Sequence, residues 1–166
     1  MGRTKAVSKK TASTRTVGKK AAGKKKFATY KRRGEWVELI FMMRGAELGF
    51  NVSKPWGDSA RYDVSVEDGG RFRRVQVKST DVPRGDGGYV CYLKRTGIRY
   101  YRVEDVDFFA IYVLEKKAWF IVPSPVVLRL KSNIRVAPGM KNQKYARYEE
   151  AWHLLRRGRR KGGDRC

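Results

Sequence analysis

Residues 61–80, RYDVSVEDGGRFRRVQVKST, leave few folds open. Two runs of alternating polarity meet at Asp68-Gly69-Gly70, and a Gly-Gly pair between such runs is a strong hairpin signal. Tyr62, Val64 and Val66 point one way in the first strand, and Arg61, Asp63 and Ser65 the other. In the second strand Val75 and Val77 alternate with Arg74, Gln76 and Lys78. A two-residue loop at Gly69-Gly70 opposes Asp68 to Arg71, which sets Tyr62 against Val77 and Val64 against Val75 on an apolar face. Asp63 then faces Gln76, and Arg61 faces Lys78, on the other side. Phe72 would oppose Glu67, so a bulge is expected near the turn.

Opposed side chains of an antiparallel pair have Cβ atoms about 5 Å apart. The Asp63 carboxylate and the Gln76 amide oxygen are therefore close enough to ligate one hard cation such as Mg²⁺. Lys78, two residues on and on the same side, is placed to orient a water or to neutralise charge developing on a phosphate. The plainer alternative is a solvated strand face that happens to carry Asp, Gln and Lys.

Charge narrows the choice of partner. Residues 1–33 hold thirteen Lys/Arg and no acid, and residues 156–166 hold six Lys/Arg and one Asp. Eighteen of the net +23 charges thus lie in the two ends. Such segments repel themselves, cannot collapse, and suit a polyanion. Residues 1–32 are expected to form a disordered arm, with Lys24, Lys25, Lys26, Arg32 and Arg33 as nucleic-acid contacts. A domain over 33–157 and a basic tail over 158–166 follow. The bland reading of the arm is a solubilising tail.

Several classes are disfavoured. No apolar run approaches the roughly 20 residues of a membrane span, and no hydrophobic segment follows the basic N-terminus to make a signal peptide. The expected location is cytoplasmic and nucleic-acid-associated (the nucleoid in a bacterium). Cys91 and Cys166 give neither a disulfide framework nor a zinc site, and Cys91 reads as a small core residue. One histidine, His153, cannot build a histidine-ligated centre and reads as structural.

Along the chain, a helix is expected from about Arg33 to Leu48, stopped by Gly49. Its middle, WVELIFMM, is apolar except for Glu38, and a carboxylate there must be exposed, paired or metal-bound. A short strand at 50–53 breaks at Pro55-Trp56-Gly57. After the hairpin, 81–88 reads as a flexible loop that carries Arg84 over the site. Residues 89–93 read as a strand, and 107–114 with 118–122 as a buried hairpin ended by Pro123 and Pro125. Arg99, Tyr100, Tyr101 and Arg102 mix charge with aromatics, which suits nucleic acid or a core edge. Tyr145, Tyr148, Trp152 and Leu155, at helical spacing, predict a closing helix over 143–157.

These residues resemble the PD-(D/E)XK nucleases of the restriction-endonuclease-like fold. Asp63 matches the family's strand acid, Gln76-Val77-Lys78 its Glu-x-Lys, and Glu38 the glutamate of its first helix. Gly34-x-x-x-Glu38 followed by Gly49-Phe50 is similar to archaeal Holliday-junction resolvases. Gln76 in place of Glu resembles a branch that includes homing endonucleases of group I introns. Val106-Asp107-Phe108-Phe109 and Trp119-Phe120-Ile121-Val122-Pro123 look like that branch too.

The elements above are expected to form an α/β domain, with a first helix, one mixed sheet made of all these strands, and a closing helix. The resemblance implies a central sheet flanked by helices and Mg²⁺-dependent hydrolysis of DNA, with Mn²⁺ as a substitute metal. It implies that Asp63, Gln76 and the Val77 carbonyl hold the metal, and that Glu38 binds a second metal or a metal-bound water. Lys78 would position the attacking water. The DNA could be double-stranded or branched, and a resolvase would require a homo-oligomer. Two rivals stay open: a DNA-binding scaffold made inactive by Gln76, and a basic RNA-associated protein whose tails do the work.

Overall fold

In the computed structural model, which describes residues 27–57, 59–93, 101–130 and 132–156, the first element is a helix, α1 (Tyr30–Glu47). It begins ahead of the expected Arg33 because Thr29 caps it, its Oγ1 accepting the Arg32 N–H at 3.1 Å. It ends at the expected glycine. Gly49 takes φ +83, its N–H reaches the Ala46 carbonyl at 2.9 Å, and the Phe50 N–H reaches the Gly45 carbonyl at 3.1 Å. These are the paired bonds of a Schellman cap. Val37, Phe41 and Gly45 form the buried stripe. A Cβ added at Gly45 would lie 2.9 Å from Val52 Cγ1, so glycine lets α1 sit against β1 (Asn51–Ser53).

The hairpin follows as β2 (Val64–Asp68) and β3 (Arg71–Thr80), paired from Val64↔Val75 to Asp68↔Arg71 as the alternation requires. Gly69 and Gly70 both have positive φ (57 and 78), the geometry of a tight I′ turn. The expected bulge is absent. Glu67 and Phe72 pair in regular register because neither needs the other: Phe72 is 68% exposed, and Glu67 accepts the Gly70 N–H at 2.6 Å.

Four more short elements follow the hairpin: β4 (Tyr89–Tyr92), β5 (Phe108–Val113), β6 (Ala118–Pro123) and a one-turn helix α2 (Ser124–Val127). The last strand is β7 (Asn133–Val136). The main sheet has the order β1-β2-β3-β5-β6, with β3 and β5 parallel and the other pairs antiparallel. β5 is buried along its whole length. Its Phe108, Ala110 and Tyr112 join the core under α1 with Val64, Val75 and Val77, while Phe109, Ile111 and Val113 join a second core on the opposite face.

Two expectations need correction. β4 does not enter the main sheet; it pairs with β7, and the two cover the second core with Tyr89, Cys91, Ile134 and Val136. The closing helix is replaced by two 3₁₀ turns, Ala146–Tyr148 and Trp152–Leu155. Tyr145, Tyr148, Trp152 and Leu155 are buried as their spacing suggested. Between the turns the chain instead serves the open edge of β6. The Glu150 N–H donates to the Trp119 carbonyl at 2.8 Å, Glu150 Oε1 accepts the Trp119 N–H at 2.7 Å, and Glu150 takes φ +47. An α-helix would leave those edge groups of β6 unpaired. His153 is exposed on the second turn and takes no part in the core. Among the described residues, no helix is long and apolar enough to cross a membrane.

Candidate active site

A cleft opens where β2 parts from β3. The Asp63 N–H bonds the Val75 carbonyl at 3.0 Å, one step off the hairpin register, and pairing proper starts only at Val64. β3 continues to Thr80 with no β2 partner beside it. The Val77 N–H on that side would be unpaired, and Asp63 Oδ2 accepts it at 2.9 Å. The same oxygen accepts from Gln76 Nε2. Asp63 and Gln76 therefore meet at the mouth of the hairpin through a side-chain hydrogen bond, although Asp63 has left the register that would set it directly opposite Gln76.

Burial pushes the Asp63 carboxyl up to about 6; the Val77 N–H opposes the rise, Glu38 adds to it, and Lys78 and Lys54 oppose it. Gln76 is buried, 5% exposed. An ionised carboxylate can only accept, so the Gln76 amide must turn its NH₂ toward Asp63, leaving Oε1 over. Among the described residues, neither Gln76 Oε1 nor Asp63 Oδ1 accepts a hydrogen bond. The N–H and C=O of one strand residue point to the same side. The Val77 carbonyl therefore shares the side on which its N–H meets Asp63. Three oxygens of carboxylate, amide and carbonyl type are a donor set suited to Mg²⁺ or Mn²⁺, both of which prefer oxygen.

Lys78 lines the cleft, its Nζ donating to Tyr101 Oη at 3.2 Å. Tyr101 is fixed in turn, its ring edge-on to Phe109 with centroids 5.3 Å apart. Glu38 projects from α1 into the same cleft, where Lys54 Nζ lies 2.5 Å from its Oε2. That hydrogen bond holds the Lys54 ammonium above its ordinary value, against a smaller lowering by burial. At the rim, Arg33 pairs with Asp81 at 2.8 Å.

The structure thus gathers Asp63, Gln76, Val77, Lys78, Glu38 and Arg33 around one cleft of about 380 Å³. Other expectations fall away. Arg61 does not face Lys78, because it is drawn to Asp105 at 2.8 Å. Tyr62 packs on the second core, apart from Val77 in the first. Arg84 is exposed and outside the cleft lining, on a loop closed by its own N–H to the Gly88 carbonyl at 2.7 Å. Arg32 is exposed on the first turn of α1. Lys24, Lys25, Lys26 and Arg99 lie outside the described residues. Burial pushes the Cys91 thiol up to about 12, so it stays protonated and is no nucleophile.

Two cleft residues escaped sequence reasoning. Lys54 stands ahead of Pro55 in what reads as a strand break, and no local pattern points it at Glu38, sixteen positions away. Tyr101 was visible only as one aromatic in a mixed run, with nothing to assign it to Lys78.

The family model for PD-(D/E)XK endonuclease matches residues 28–155. Among solved structures, the bacterial homing endonuclease I-Ssp6803I is 33% identical, over 76% of this chain and 93% of that one, with a TM-score of 0.66. Hjc, a Holliday junction resolvase from the archaeal hyperthermophile Archaeoglobus fulgidus, is 16% identical over 64% of this chain and 84% of that one, with a TM-score of 0.46. No curated protein matches the chain. The mixed sheet and its helix are of the restriction-endonuclease-like class.

Proposed function

Because this chain belongs to the PD-(D/E)XK endonuclease family, we propose that it hydrolyses phosphodiester bonds in double-stranded DNA with the help of Mg²⁺ or Mn²⁺. Asp63, Gln76 and the Val77 carbonyl would hold the ion. The carrying observation is the split between β2 and β3, which sets the Asp63 carboxylate, the Gln76 amide and Lys78 around one open cleft. The chemistry such an ion would supply there is polarisation of a phosphoryl oxygen and a lower pKa for a nearby water.

The protein's own groups do the rest. Asp63 supplies the fixed negative charge, and its bonds to Gln76 and Val77 hold that charge in one orientation. Lys78, steadied by Tyr101, positions the attacking water and stabilises the charge that builds on the phosphorus. The water oxygen bonds to phosphorus and gives up a proton to solvent, the bond to the leaving sugar oxygen breaks, and that oxygen takes up a proton from solvent. The basic ends add non-specific affinity for the DNA backbone. The likeness to I-Ssp6803I supports a homing-endonuclease-like role on duplex DNA.

One observation favours a second reading. Gln76 brings no charge where the family's pattern has Glu, which fits a DNA-binding scaffold that has lost catalysis. A plasmid-nicking assay in Mg²⁺ against EDTA, with the intact protein and Lys78→Ala, separates the two. Nicking that needs Mg²⁺ and disappears in Lys78→Ala is expected. Tight binding with plasmid, branched and single-stranded DNA all left intact would replace the enzyme with the scaffold.

A further inference from the structure

We propose that Lys54 occupies, at Glu38, the place a second divalent ion would take, so that the cleft works with one metal. This rests on the metal-dependent reading of Asp63 given above and settles the role of Glu38 within it.

The ammonium of Lys54 lies 2.5 Å from Glu38 Oε2. An Mg²⁺ ligand distance is about 2.0–2.1 Å, so a metal on that oxygen and an ammonium beside it would compete for one position. Glu38 is tied to the rigid body of α1 and its side chain is only 18% exposed. Lys54 sits just past β1, on a chain anchored by the β1–β2 pairing, so the two are brought together by backbone that is already fixed.

Charge balance argues the same way. The cleft offers two carboxylates, Asp63 and Glu38, against two ammonium groups, Lys54 and Lys78, while the Arg33 guanidinium at its rim is met by Asp81. Among the described residues no group of three or more His, Cys, Asp or Glu is placed to share a metal. One divalent ion brings this balanced set to a net charge of +2, which suits a phosphate going from one negative charge toward two in the transition state. A second ion would place two more positive charges next to Lys54 with no carboxylate left to meet them. Lys54 also keeps N–H donors in the cleft beyond the one given to Glu38, available to a phosphate oxygen.

Counting Mn²⁺ on the full chain by paramagnetic resonance of the free ion tests this without reference to activity. Four proteins are compared: wild type, Lys54→Met, Glu38→Gln and Asp63→Asn. One ion is expected on the wild type, lost in Asp63→Asn, and kept in Glu38→Gln with a Kd weakened by about tenfold or less, because the Lys54 ammonium is left in the cleft without its carboxylate. Lys54→Met, which frees Glu38, is expected to bind two. Two ions on the wild type, or one ion still on Lys54→Met, would overturn the proposal while leaving the metal at Asp63 in place. No ion on the wild type would remove the metal reading itself, and this inference with it.

Discussion

Asp63 Oδ2 accepts the Val77 N–H at 2.9 Å, so a side chain completes a ladder that the backbone of β2 has left. The same departure opens the cleft and turns the Gln76 amide toward the acid. Structure and chemistry share one carboxylate here, and its substitution separates them.

The raised carboxyl of Asp63, about 6 against an ordinary 3.8, has a definite sign in stability. Between these two values the folded chain holds the proton that the unfolded chain has released. Stability therefore falls as pH rises through that window, and the full cost is present above about pH 6. Asn keeps an oxygen for the Val77 N–H and carries no charge. Asp63→Asn is expected to raise stability at pH 8 by about 1–3 kcal/mol and to change it little below about pH 4. Thermal unfolding of both proteins at the two pH values checks this; an Asn variant less stable at pH 8 contradicts it.

Metal binding should show the same group from the other side. An ion must displace the proton, so Mn²⁺ affinity is expected to be flat above about pH 6 and to drop about tenfold per pH unit below it. Titrations across that range measure it. A profile without a break near 6 would mean that another group holds the ion.

Lys78 and Tyr101 test the hydrolytic half of the cleft. Lys78→Ala is expected to slow cleavage by about 10²–10³-fold, the range for loss of one transition-state donor. Tyr101→Phe keeps the ring on Phe109 and loses only the hydroxyl, so a drop of about tenfold or less is expected. Single-turnover rates separate these from changes in DNA affinity.

Gly45 carries the seat of α1. Its substitution by Ala drives a methyl group to 2.9 Å from Val52 Cγ1 and is expected to cost about 1–3 kcal/mol, read as a lower Tm. Because Glu38 lies two turns earlier on the same helix, cleavage should fall with it even where the variant stays folded.

The basic arm is separable from chemistry. Deleting residues 1–26 removes ten Lys/Arg. The slope of log K for DNA against log salt is expected to become shallower by about 0.9 for each phosphate released, with the single-turnover rate at saturating protein unchanged. An unchanged slope would show that the arm is only a solubilising tail.

What could be read from the sequence was what short-range rules decide. Gly69-Gly70 and the valine alternation set the hairpin register from Val64↔Val75 to Asp68↔Arg71, and Asp63, one residue beyond that register, still reaches Gln76 through its side chain. Gly49 marked the end of α1 because only a residue at ease with positive φ closes that cap. Contacts between distant segments were not legible. Nothing near Arg61 announces Asp105, and nothing near Lys54 announces Glu38. The aromatic spacing of 145–155 was a true burial signal, but a three-to-four residue repeat serves two 3₁₀ turns as well as one helix. What chose between them was the unpaired edge of β6, which lies elsewhere in the sequence.

The central claim is that the Asp63 cleft cuts DNA. It is tested most directly by the single-turnover rate of duplex cleavage by Asp63→Asn in Mg²⁺, at protein concentrations that saturate the DNA. The expected result is DNA affinity within about threefold of wild type, since the phosphate contacts remain, together with a rate lower by about 10³-fold or more. An Asn variant that binds DNA equally well and cuts it at the wild-type rate would contradict the account, and the catalytic centre would have to lie elsewhere in the chain.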